Sequence, residues 1–484
     1  MVKTFKNTMW AILVIGLIAS VFAGTYSENG QGATFDGINL FQVNGVIPMT
    51  GNLNMSNNII TNLFQINSIT ATELNYLSGV TSNIQTQLDN MCPVGYSCPT
   101  TYTELVSDAA NSSIKKIWLN EDNTYAESGD VDLDFTDNDK VVKGNGATIS
   151  FDTTSCSGGS VQLDTDNNYR FYDFTIDFNG CSTDGIRAQS PTDGEGSLEL
   201  YEVTLKDIDD QQKALIWWGK NAYVWKSKFE NVCSGFMADY TGSEAYVTIE
   251  QSEFTGNRTA CGSYTEGEGI EINHANISAK ILYNTFGSDE DPTLAFDENF
   301  IDCNGYKCLV QGNTLYNDPA NTQANTMIFT DINYEVETEY KVSDNTLYDV
   351  CDEMTGIEVG ATGDPATVYK SAIISNNVVL GCGDGSDGDN TGIKLDADLT
   401  KAIILGNIVE DVWRGVRTAG ANITIASNEI SGFTDKAWQD DAASALRATN
   451  LRYDANTMQV GTSGYVCVSA PVREWELVGG QVSC

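Results

Sequence analysis

A short pattern of apolar and polar positions recurs along most of the chain. It consists of an apolar residue, two variable residues, asparagine or a substitute, one variable residue and a second apolar residue, as in "ILYNTF" and "ILGNIV". One such strand every 21 to 32 residues is typical of a solenoid, so the pattern predicts an all-β fold of about eleven or more turns. The fourth position of the pattern falls at Phe174, Val203, Ser227, Ser252, Asn284, Asn313, Asn345, Asn377, Asn407, Asn428 and Asn456.

A second, glycine-led pattern accompanies the first and predicts another strand of the same turn. It begins at Gly185, Gly269, Gly356, Gly392 and Gly415, as in "GIEI" and "GIKL". Glycine allows a tight entry into such a strand. Asparagine side chains stacked at one bend can hydrogen-bond to one another and to the backbone. The repeated asparagines are therefore expected to be structural and not catalytic.

The solenoid begins with a predicted helical cap. The segment "TTYTELVSDAANSSIKKIWL" predicts a short amphipathic helix with Leu105, Ala109 and Ala110 facing inward, followed by the strand "KKIWL". It resembles the N-terminal cap of the pectin-lyase-like superfamily, which covers the unpaired end of the coil stack. The resemblance implies a single-stranded right-handed parallel β-helix. It also raises the question of catalysis, because this superfamily includes polysaccharide lyases and glycoside hydrolases.

Residues 24–91 predict a stalk of short strands and two short helices. Thr70 with Glu73, and Ser82 with Gln85, have the spacing of capping boxes. The apolar stripe of these helices is too thin to fold alone, so they are expected to self-associate; packing on their own β domain is the alternative. Residues 48–90 resemble the stalk segment of phage tail fibres and tail-spike-like proteins, which implies an elongated homo-oligomer, with a trimer favoured.

The first 23 residues have the pattern of a signal peptide. Lys3 and Lys6 precede an apolar run that ends in "VFA", and cleavage is favoured over a retained anchor because the run is short for a membrane span. No second apolar run of that length follows, so no integral membrane segment is expected after cleavage. The predicted organisation is a signal peptide (1–23), the stalk (24–91), the β-helix (92–466) and a C-terminal cap closed by a disulfide (467–484).

The twelve cysteines predict local disulfides in a secreted or extracellular surface protein. Metal binding is the weaker interpretation, because no CxxC pair occurs and His274 is the only histidine. The cysteines fall in near neighbours along the chain: Cys92/Cys98, Cys156/Cys181, Cys233/Cys261, Cys303/Cys308, Cys351/Cys382 and Cys467/Cys484.

The formal net charge of −40 argues against nucleic acid or an anionic membrane as a partner. It also disfavours a polyanionic glycan whose charge is not compensated locally. A solubilising surface is the simplest interpretation of so much acid.

Clustered acids are the best candidates for catalysis. Glu266, Glu268 and Glu271 are placed so that they could face one side of a strand, and Asp289 and Asp291 are expected on the following turn. Two carboxylates about 5–10 Å apart could act as the acid and the base or nucleophile of glycoside hydrolysis. A solvated acidic face is the alternative, and no short signature of the lyases or hydrolases is present.

An Asp- and Gly-rich loop, "CGDGSDGDNTG", predicts a calcium site. Asp384, Asp387, Asp389 and Asn390 alternate with glycines and could direct several oxygens at one hard cation. It lacks EF-hand spacing, and a turn cluster without a ligand is the alternative.

Tryptophans supply candidate carbohydrate contacts. Trp217 and Trp218 are adjacent, so one should be exposed; Trp225 and Trp413 lie near turns. An exposed indole can stack on a sugar ring, whereas an internal stack or an oligomer contact is the alternative.

These observations predict a secreted, adhesin-like or tail-spike-like attachment protein that presents a β-helix to a glycan or cell surface. The alternatives are a polysaccharide lyase or glycoside hydrolase on the same scaffold, and a structural subunit of an extracellular layer or filament.

Overall fold

The computed structural model forms two units, Met1–Met91 and Cys92–Cys484. It describes residues 65–66, 69–70, 92–127, 131–135, 139–151, 161–181, 184–188, 194–256, 267–296, 298–320, 326–330, 337–351, 353–360, 370–382, 390–396, 399–419, 423–440, 446–453, 466–467 and 475–477. In the first unit these include one antiparallel pair, β1 (Gln65–Ile66) and β2 (Ile69–Thr70). The predicted signal peptide and both predicted stalk helices lie outside the described residues, apart from Thr70.

The second unit begins with one helix, α1 (Tyr102–Ala110), and continues with strands. The first strands are β3 (Lys116–Trp118), β4 (Thr124–Ala126), β5 (Leu133–Asp134), β6 (Lys140–Ser150), β7 (Val161–Leu163), β8 (Asn168–Cys181), β9 (Ile186–Ala188), β10 (Gly194–Tyr201), β11 (Thr204–Trp217), β12 (Gly219–Trp225), β13 (Lys228–Ala238), β14 (Ala245–Glu250), β15 (Glu253–Gly256), β16 (Ile270–Ile272), β17 (Ile277–Leu282) and β18 (Thr285–Phe286). A single 3-10 turn, Pro292–Leu294, follows β18.

The remaining strands continue the same succession. They are β19 (Asn299–Cys303), β20 (Lys307–Gln311), β21 (Thr314–Tyr316), β22 (Thr326–Thr330), β23 (Thr338–Ser343), β24 (Thr346–Val350), β25 (Thr355–Val359), β26 (Lys370–Ser375), β27 (Val378–Gly381), β28 (Thr391–Leu395), β29 (Lys401–Leu405), β30 (Ile408–Glu410), β31 (Arg414–Thr418), β32 (Ile423–Ala426), β33 (Glu429–Ser431), β34 (Lys436–Asp440), β35 (Leu446–Tyr453), β36 (Val466–Cys467) and β37 (Trp475–Leu477).

The strands of successive coils pair in parallel along three faces, which makes the unit a parallel β-helix. Face A runs from β3 through the first half of β6 and of β8 to β10, β12, β14, β17, β20, β23, β26, β29, β32 and β35. Face B runs from β4 through the second half of β6 and of β8 and the first half of β11 and of β13 to β15, β18, β21, β24, β27, β30 and β33. Face C runs from β5, β7 and β9 through the second half of β11 and of β13 to β16, β19, β22, β25, β28, β31 and β34. The predicted solenoid is thus confirmed.

Inward side chains of all three faces form one continuous hydrophobic core. Alternation along each strand sends every second residue inside, as in the buried–intermediate alternation of β14. On face B, Phe229, Phe254 and Phe286 stack on consecutive coils, with ring centroids 4.5 and 4.9 Å apart. Apolar residues continue this column at Leu315 and Leu347.

Six of the predicted asparagines, from Asn284 to Asn428, line the corner between faces A and B, and Asn456 lies outside the described residues. From Asn284 to Asn407, each side-chain amide nitrogen donates to the Oδ1 of the asparagine on the next coil, at 2.8–3.0 Å. The backbone is left-handed at the residue just before each of these asparagines, a conformation that glycine adopts without strain. Gly312, Asp344 and Gly406, for example, have φ of 69°, 59° and 68°.

Helix α1 covers the first coil, with one difference from the prediction. The side chain of Thr101 caps the helix by accepting a hydrogen bond from the Glu104 N–H at 3.3 Å. Leu105 and Ala109 are buried as predicted, but Ala110 is exposed and Tyr102 takes its place. Positions three and four residues apart share a helix face, whereas Ala110 is rotated away from Leu105 and Ala109.

Three of the predicted disulfides are present: Cys92–Cys98, Cys303–Cys308 and Cys351–Cys382. Cys233 is also disulfide-bonded. The other predicted pairs, Cys156/Cys181 and Cys467/Cys484, and the Cys261 side chain lie outside the described side chains. Within the described residues, no helix has the length and apolar character needed to cross a membrane.

Candidate functional site

Face A carries a row of aromatic side chains on its outer surface. Tyr172, Tyr201 and Trp225 occupy one register position on consecutive coils, and Tyr223 lies two residues before Trp225 on the same side of the strand. We call these four residues the aromatic ladder. The rings of Tyr172 and Tyr201 stack with centroids 4.8 Å apart and planes 6° apart. The Tyr201 ring lies 5.4 Å from that of Tyr223 and 6.2 Å from that of Trp225, and all four rings are partly exposed.

The aromatic surface extends toward the first coil. Trp118 and Lys143 occupy the two preceding positions of the same register column as Tyr172. The Lys143 ammonium lies 5.5 Å from the centroid of Tyr172 and 6.0 Å from that of Tyr96. Tyr96 in turn meets Trp118 edge to face at 5.9 Å. Aromatic and cationic groups thus alternate along the beginning of face A.

Carboxylates hold the tyrosines of the ladder in place. The Tyr201 hydroxyl donates to Glu199 at 3.0 Å, and the Tyr223 hydroxyl donates to Glu250. Burial, followed by the Glu199 carboxylate, raises the pKa of Tyr201 to about 12. Burial and the Glu250 carboxylate raise the pKa of Tyr223 as well. Both phenols therefore remain neutral at physiological pH, with oriented rings and acceptor oxygens beside them. This combination of partly exposed aromatic rings and neighbouring polar groups is suited to contacts with a sugar ring.

A second cluster, on face C, brings together the acids of the "GEGIEI" segment. Gly269 forms a bend between Glu268 and Glu271, and glycine is required there because an added Cβ would lie 2.5 Å from the carbonyl oxygen of Phe300. The two carboxyl groups hydrogen-bond to each other across this bend. Glu271 is also ion-paired with Lys213, and Asn299 donates to Glu268 at 3.4 Å. We call Lys213, Glu268, Glu271, Asn299 and Asp302 the carboxylate cluster.

Burial gives Glu268 an unusual affinity for its proton. Desolvation is the main cause, followed by the charges of Glu271 and Asp302, and Lys213 opposes them only in part. Together they raise the pKa of Glu268 to about 10, so this group is protonated at neutral pH. The proton allows it to donate to Glu271. Glycoside hydrolysis needs carboxyl groups about 5–10 Å apart with room for a sugar between them. A direct hydrogen bond places Glu268 and Glu271 closer than that, so this pair does not have that geometry.

We expect Glu268→Gln to make the unfolding free energy less dependent on pH. In the wild type the folded pKa lies above the unfolded value of 4.5, so the stability from this group is present below about pH 4.5 and is lost as pH rises toward 10. Glutamine mimics the protonated acid and does not ionise, so the variant does not lose this stability as pH rises. Urea unfolding at pH 5 and pH 9 should show a fall smaller by about 1–3 kcal/mol in the variant. The exposed Glu429→Gln is the matched control, and an equal fall in all three proteins would contradict the assignment.

The other predicted acids serve different purposes. Asp291 caps the 3-10 turn by accepting hydrogen bonds from the Thr293 N–H and hydroxyl, at 3.1 and 2.6 Å. Asp289 is exposed, and its charge acts on Tyr316. Glu266 lies outside the described residues. Sequence reasoning missed Lys213, Asn299 and Asp302, which the parallel register brings to Glu268 and Glu271 from neighbouring coils. The glycine-led pattern marked the strand of Glu271, but only the parallel register places Glu271 opposite Asp302.

The predicted tryptophans divide between core and surface. Trp217 is fully buried and packs edge to face on Tyr169 at 6.4 Å, which leaves it no sugar-binding face. Trp218, its neighbour, is partly exposed, as alternation requires. Trp225 belongs to the aromatic ladder. Trp413 is covered by Arg414 at 3.8 Å.

Asn390 has a structural position in the fold. It is buried, donates to the Val350 carbonyl at 3.0 Å and accepts from the Trp413 N–H at 2.6 Å, so its amide joins neighbouring coils. The other predicted calcium ligands, Asp384, Asp387 and Asp389, lie outside the described residues.

Fold and sites together define a parallel β-helix protein with an outer aromatic surface and a buried carboxylate cluster. No protein-family model matches the chain, and no curated protein matches it in sequence. Among solved structures the chain is similar to PfbA, a surface adhesin of Streptococcus pneumoniae, with 13% identity and a TM-score of 0.43. The likeness covers 73% of this chain and 86% of PfbA. A similarity this distant carries no conclusion about what this chain binds.

Proposed function

We propose that this chain is an exported attachment protein that binds carbohydrate on the aromatic ladder of face A. One observation carries the proposal: Tyr172, Tyr201 and Trp225 stand in one register column on the outer side of the sheet. Outward positions need no large apolar side chains for folding, and three consecutive ones with partly exposed rings form a continuous aromatic strip on the surface. Sugar rings present apolar faces that stack on such exposed rings, while Glu199 and Glu250 supply acceptors for hydroxyl groups.

The cysteines support an extracellular setting. Disulfides form and persist in oxidising compartments, and three pairs are present in this fold. The basic and apolar pattern of residues 1–23 supports export in the same way. Both features fit a protein that meets glycans outside the cell.

The cap and the corner support membership of the pectin-lyase-like superfamily, which we propose as the structural class. Helix α1 covers the first coil at the place where the superfamily resemblance put a cap. The asparagine column between faces A and B continues through six consecutive coils, from Asn284 to Asn428. Neither feature implies an activity, since β-helices carry many functions.

The test is saccharide binding by single-ring variants. A glycan array identifies a bound saccharide, and calorimetry then compares wild type with Tyr201→Ala and Trp225→Ala. Each lost ring should weaken binding by about tenfold, because one aromatic stacking contact contributes about 1.5 kcal/mol.

Tyr316→Ala is the matched control. Tyr316 stacks on Tyr348 with centroids 4.9 Å apart, but this pair lies on face B, away from the ladder. The affinity of the Tyr316→Ala variant for the saccharide should equal that of the wild type. If the ladder variants bind as tightly as the control, or if no saccharide on the array is bound, the proposed function is wrong.

A further inference from the structure

We infer that the saccharide on the aromatic ladder is acidic, and that Lys116, Lys143 and Arg170 receive its carboxylate or sulfate group. This inference rests on the proposed function and specifies its ligand. The three cationic side chains, which we call the basic group, lie on the outer side of face A at its first coils. They adjoin the ladder directly.

The parallel register places the basic group and the ladder side by side. Lys116 is in register with Val141, and Val141 with Arg170, so these residues form one column. The ladder column, which begins with Trp118, Lys143 and Tyr172, runs two residues further along the same strands. Residues two apart point to the same side of a strand, and adjacent coils are about 4.8 Å apart. A single short oligosaccharide can therefore contact both columns.

The first coils also form a groove beside the ladder. Lys115, Lys116, Val141 and Arg170 line it, together with Asp139, Lys140 and Asn168. Lys140 is buried and donates to the backbone carbonyls that end α1, so it is committed to the fold. Asp139 accepts hydrogen bonds from the backbone and side-chain amides of Asn168, at 2.8 and 3.1 Å. The groove thus presents mainly cations to a ligand.

Aromatic rings rather than carboxylates contact Lys116 and Lys143, as they also contact Lys226 and Lys307. Asp and Glu number 66 against 26 Lys and Arg, and several lysines elsewhere pair with carboxylates. These are Lys206, Lys213, Lys220, Lys228 and Lys394. In the part of the chain that the structure describes, Lys116 and Lys143 pair with no carboxylate and instead approach the rings of Tyr96 and Tyr172 at 5.5–6.0 Å. Their charges are held in position by aromatic faces and remain available to an anion.

The net charge of −40 does not oppose this inference at close range. Charges separated by more than about 8–10 Å in physiological salt are largely screened. Of the acids nearest the ladder, Glu199 is compensated by Arg170 at 3.2 Å. Glu250 keeps its charge but lies beyond Trp225 in the ladder column, three coils away from Arg170. Arg170 keeps a half-exposed side chain, 54% accessible, whose remaining N–H donors can reach a ligand. A local cationic site on an acidic protein also selects against long polyanions, because only a short acidic stretch is compensated.

The experiment compares two double variants of the full chain. Lys116→Gln/Lys143→Gln removes two charges from the basic group. Lys280→Gln/Lys341→Gln removes two exposed charges from the same register column of face A as Lys116, further along the helix. Calorimetry measures four probes at low and at high salt: an oligogalacturonate, its carboxyl-reduced neutral counterpart, a heparin-derived oligosaccharide and a single-stranded oligonucleotide.

We expect the wild type and the Lys280/Lys341 variant to bind an acidic saccharide equally, with affinity that falls as salt rises. The Lys116/Lys143 variant should bind it about tenfold more weakly or worse, with a reduced salt dependence. The oligogalacturonate and heparin arms distinguish a carboxylate from a sulfate as the preferred group.

Two results would overturn the inference while leaving the proposed function intact. One is equal binding of the neutral and acidic saccharides with no effect of the lysine substitutions. The other is an equal loss of affinity for the neutral and the acidic probe in the Lys116/Lys143 variant, which would show that the lysines act only by positioning the rings. Preferential binding of the oligonucleotide would overturn both the inference and the proposed function, and so would an absence of binding to every saccharide.

Discussion

Replacing Asn345 with alanine is expected to lower the free energy of unfolding by about 4 kcal/mol. Asn345 is fully buried in the middle of the asparagine column. Its amide nitrogen donates to the Val310 carbonyl at 3.1 Å and to Asn377 at 2.9 Å, and its oxygen accepts from the backbone and side chain of Asn313, both at 2.9 Å. Alanine removes all of these bonds and leaves buried donors and acceptors without partners, each of which costs about 1–3 kcal/mol.

Urea unfolding followed by far-UV circular dichroism measures the effect. Asn221→Ala, a partly exposed asparagine of β12, is the matched control and should stay within about 0.5 kcal/mol of the wild type. Asn345→Ser should fall between the two, because serine occupies the same corner at Ser252 and accepts from the Ser227 N–H at 3.1 Å. Since coils of a solenoid can unfold separately, a second transition confined to the neighbouring coils would also agree with the argument. Equal stability of the Asn345 and Asn221 variants would contradict it.

The corner shows why so much of this fold could be predicted from the sequence. A parallel coil stack repeats the same environment once per turn, so a position that must be buried, polar and hydrogen-bonded on both sides recurs as asparagine. The pattern located these positions correctly, including the serine and valine substitutes at Ser227 and Val203, whose backbone and hydroxyl groups continue the column. Local spacing was sufficient because the asparagine column depends on one residue per coil.

The sites were less accessible because they depend on register between coils. Tyr172, Tyr201 and Trp225 each lie two residues before the fourth position of the repeated pattern, so that pattern carried a usable signal for their alignment. Only the parallel register of the strands shows that the three side chains stand in one outward column. Trp225 was predicted as a carbohydrate contact but its tyrosine partners were not. Trp217 and Trp218 show a second limit of sequence reasoning. Alternation predicts that one of these two adjacent tryptophans is exposed, but it is the packing of Trp217 against Tyr169 that determines which one.

The carboxylate cluster leads to the second large effect. Lys213→Met is expected to lower the unfolding free energy by about 3 kcal/mol at pH 7, because breaking a buried ion pair leaves its partner's charge uncompensated. The Lys213 and Glu271 side chains are only 20% and 13% exposed, so water cannot replace the lost ammonium effectively. Lys394→Met tests the same effect at a second site on the same face: Lys394 pairs with Glu358, their side chains are only 24% and 12% exposed, and a similar loss is expected.

The pH dependence of this loss identifies its cause. Lys213 opposes the raised pKa of Glu268, so its removal moves that folded pKa still further above the unfolded value of 4.5. A carboxyl group with a raised folded pKa contributes stability below its unfolded pKa and loses it as pH rises. Both folded proteins keep Glu268 protonated up to about pH 8, so this group gives the difference between Lys213→Met and wild type no slope between pH 5 and pH 8. The difference should grow as pH approaches 10, where the wild-type Glu268 releases its proton and the variant's Glu268 does not. A difference that stays constant up to pH 10 would mean that the lysine acts through packing of its alkyl chain. Because Lys213 only partly opposes the protonation of Glu268, we expect the difference in unfolding free energy to grow. The middle section of the β-helix should accordingly be more stable in acid than in alkali.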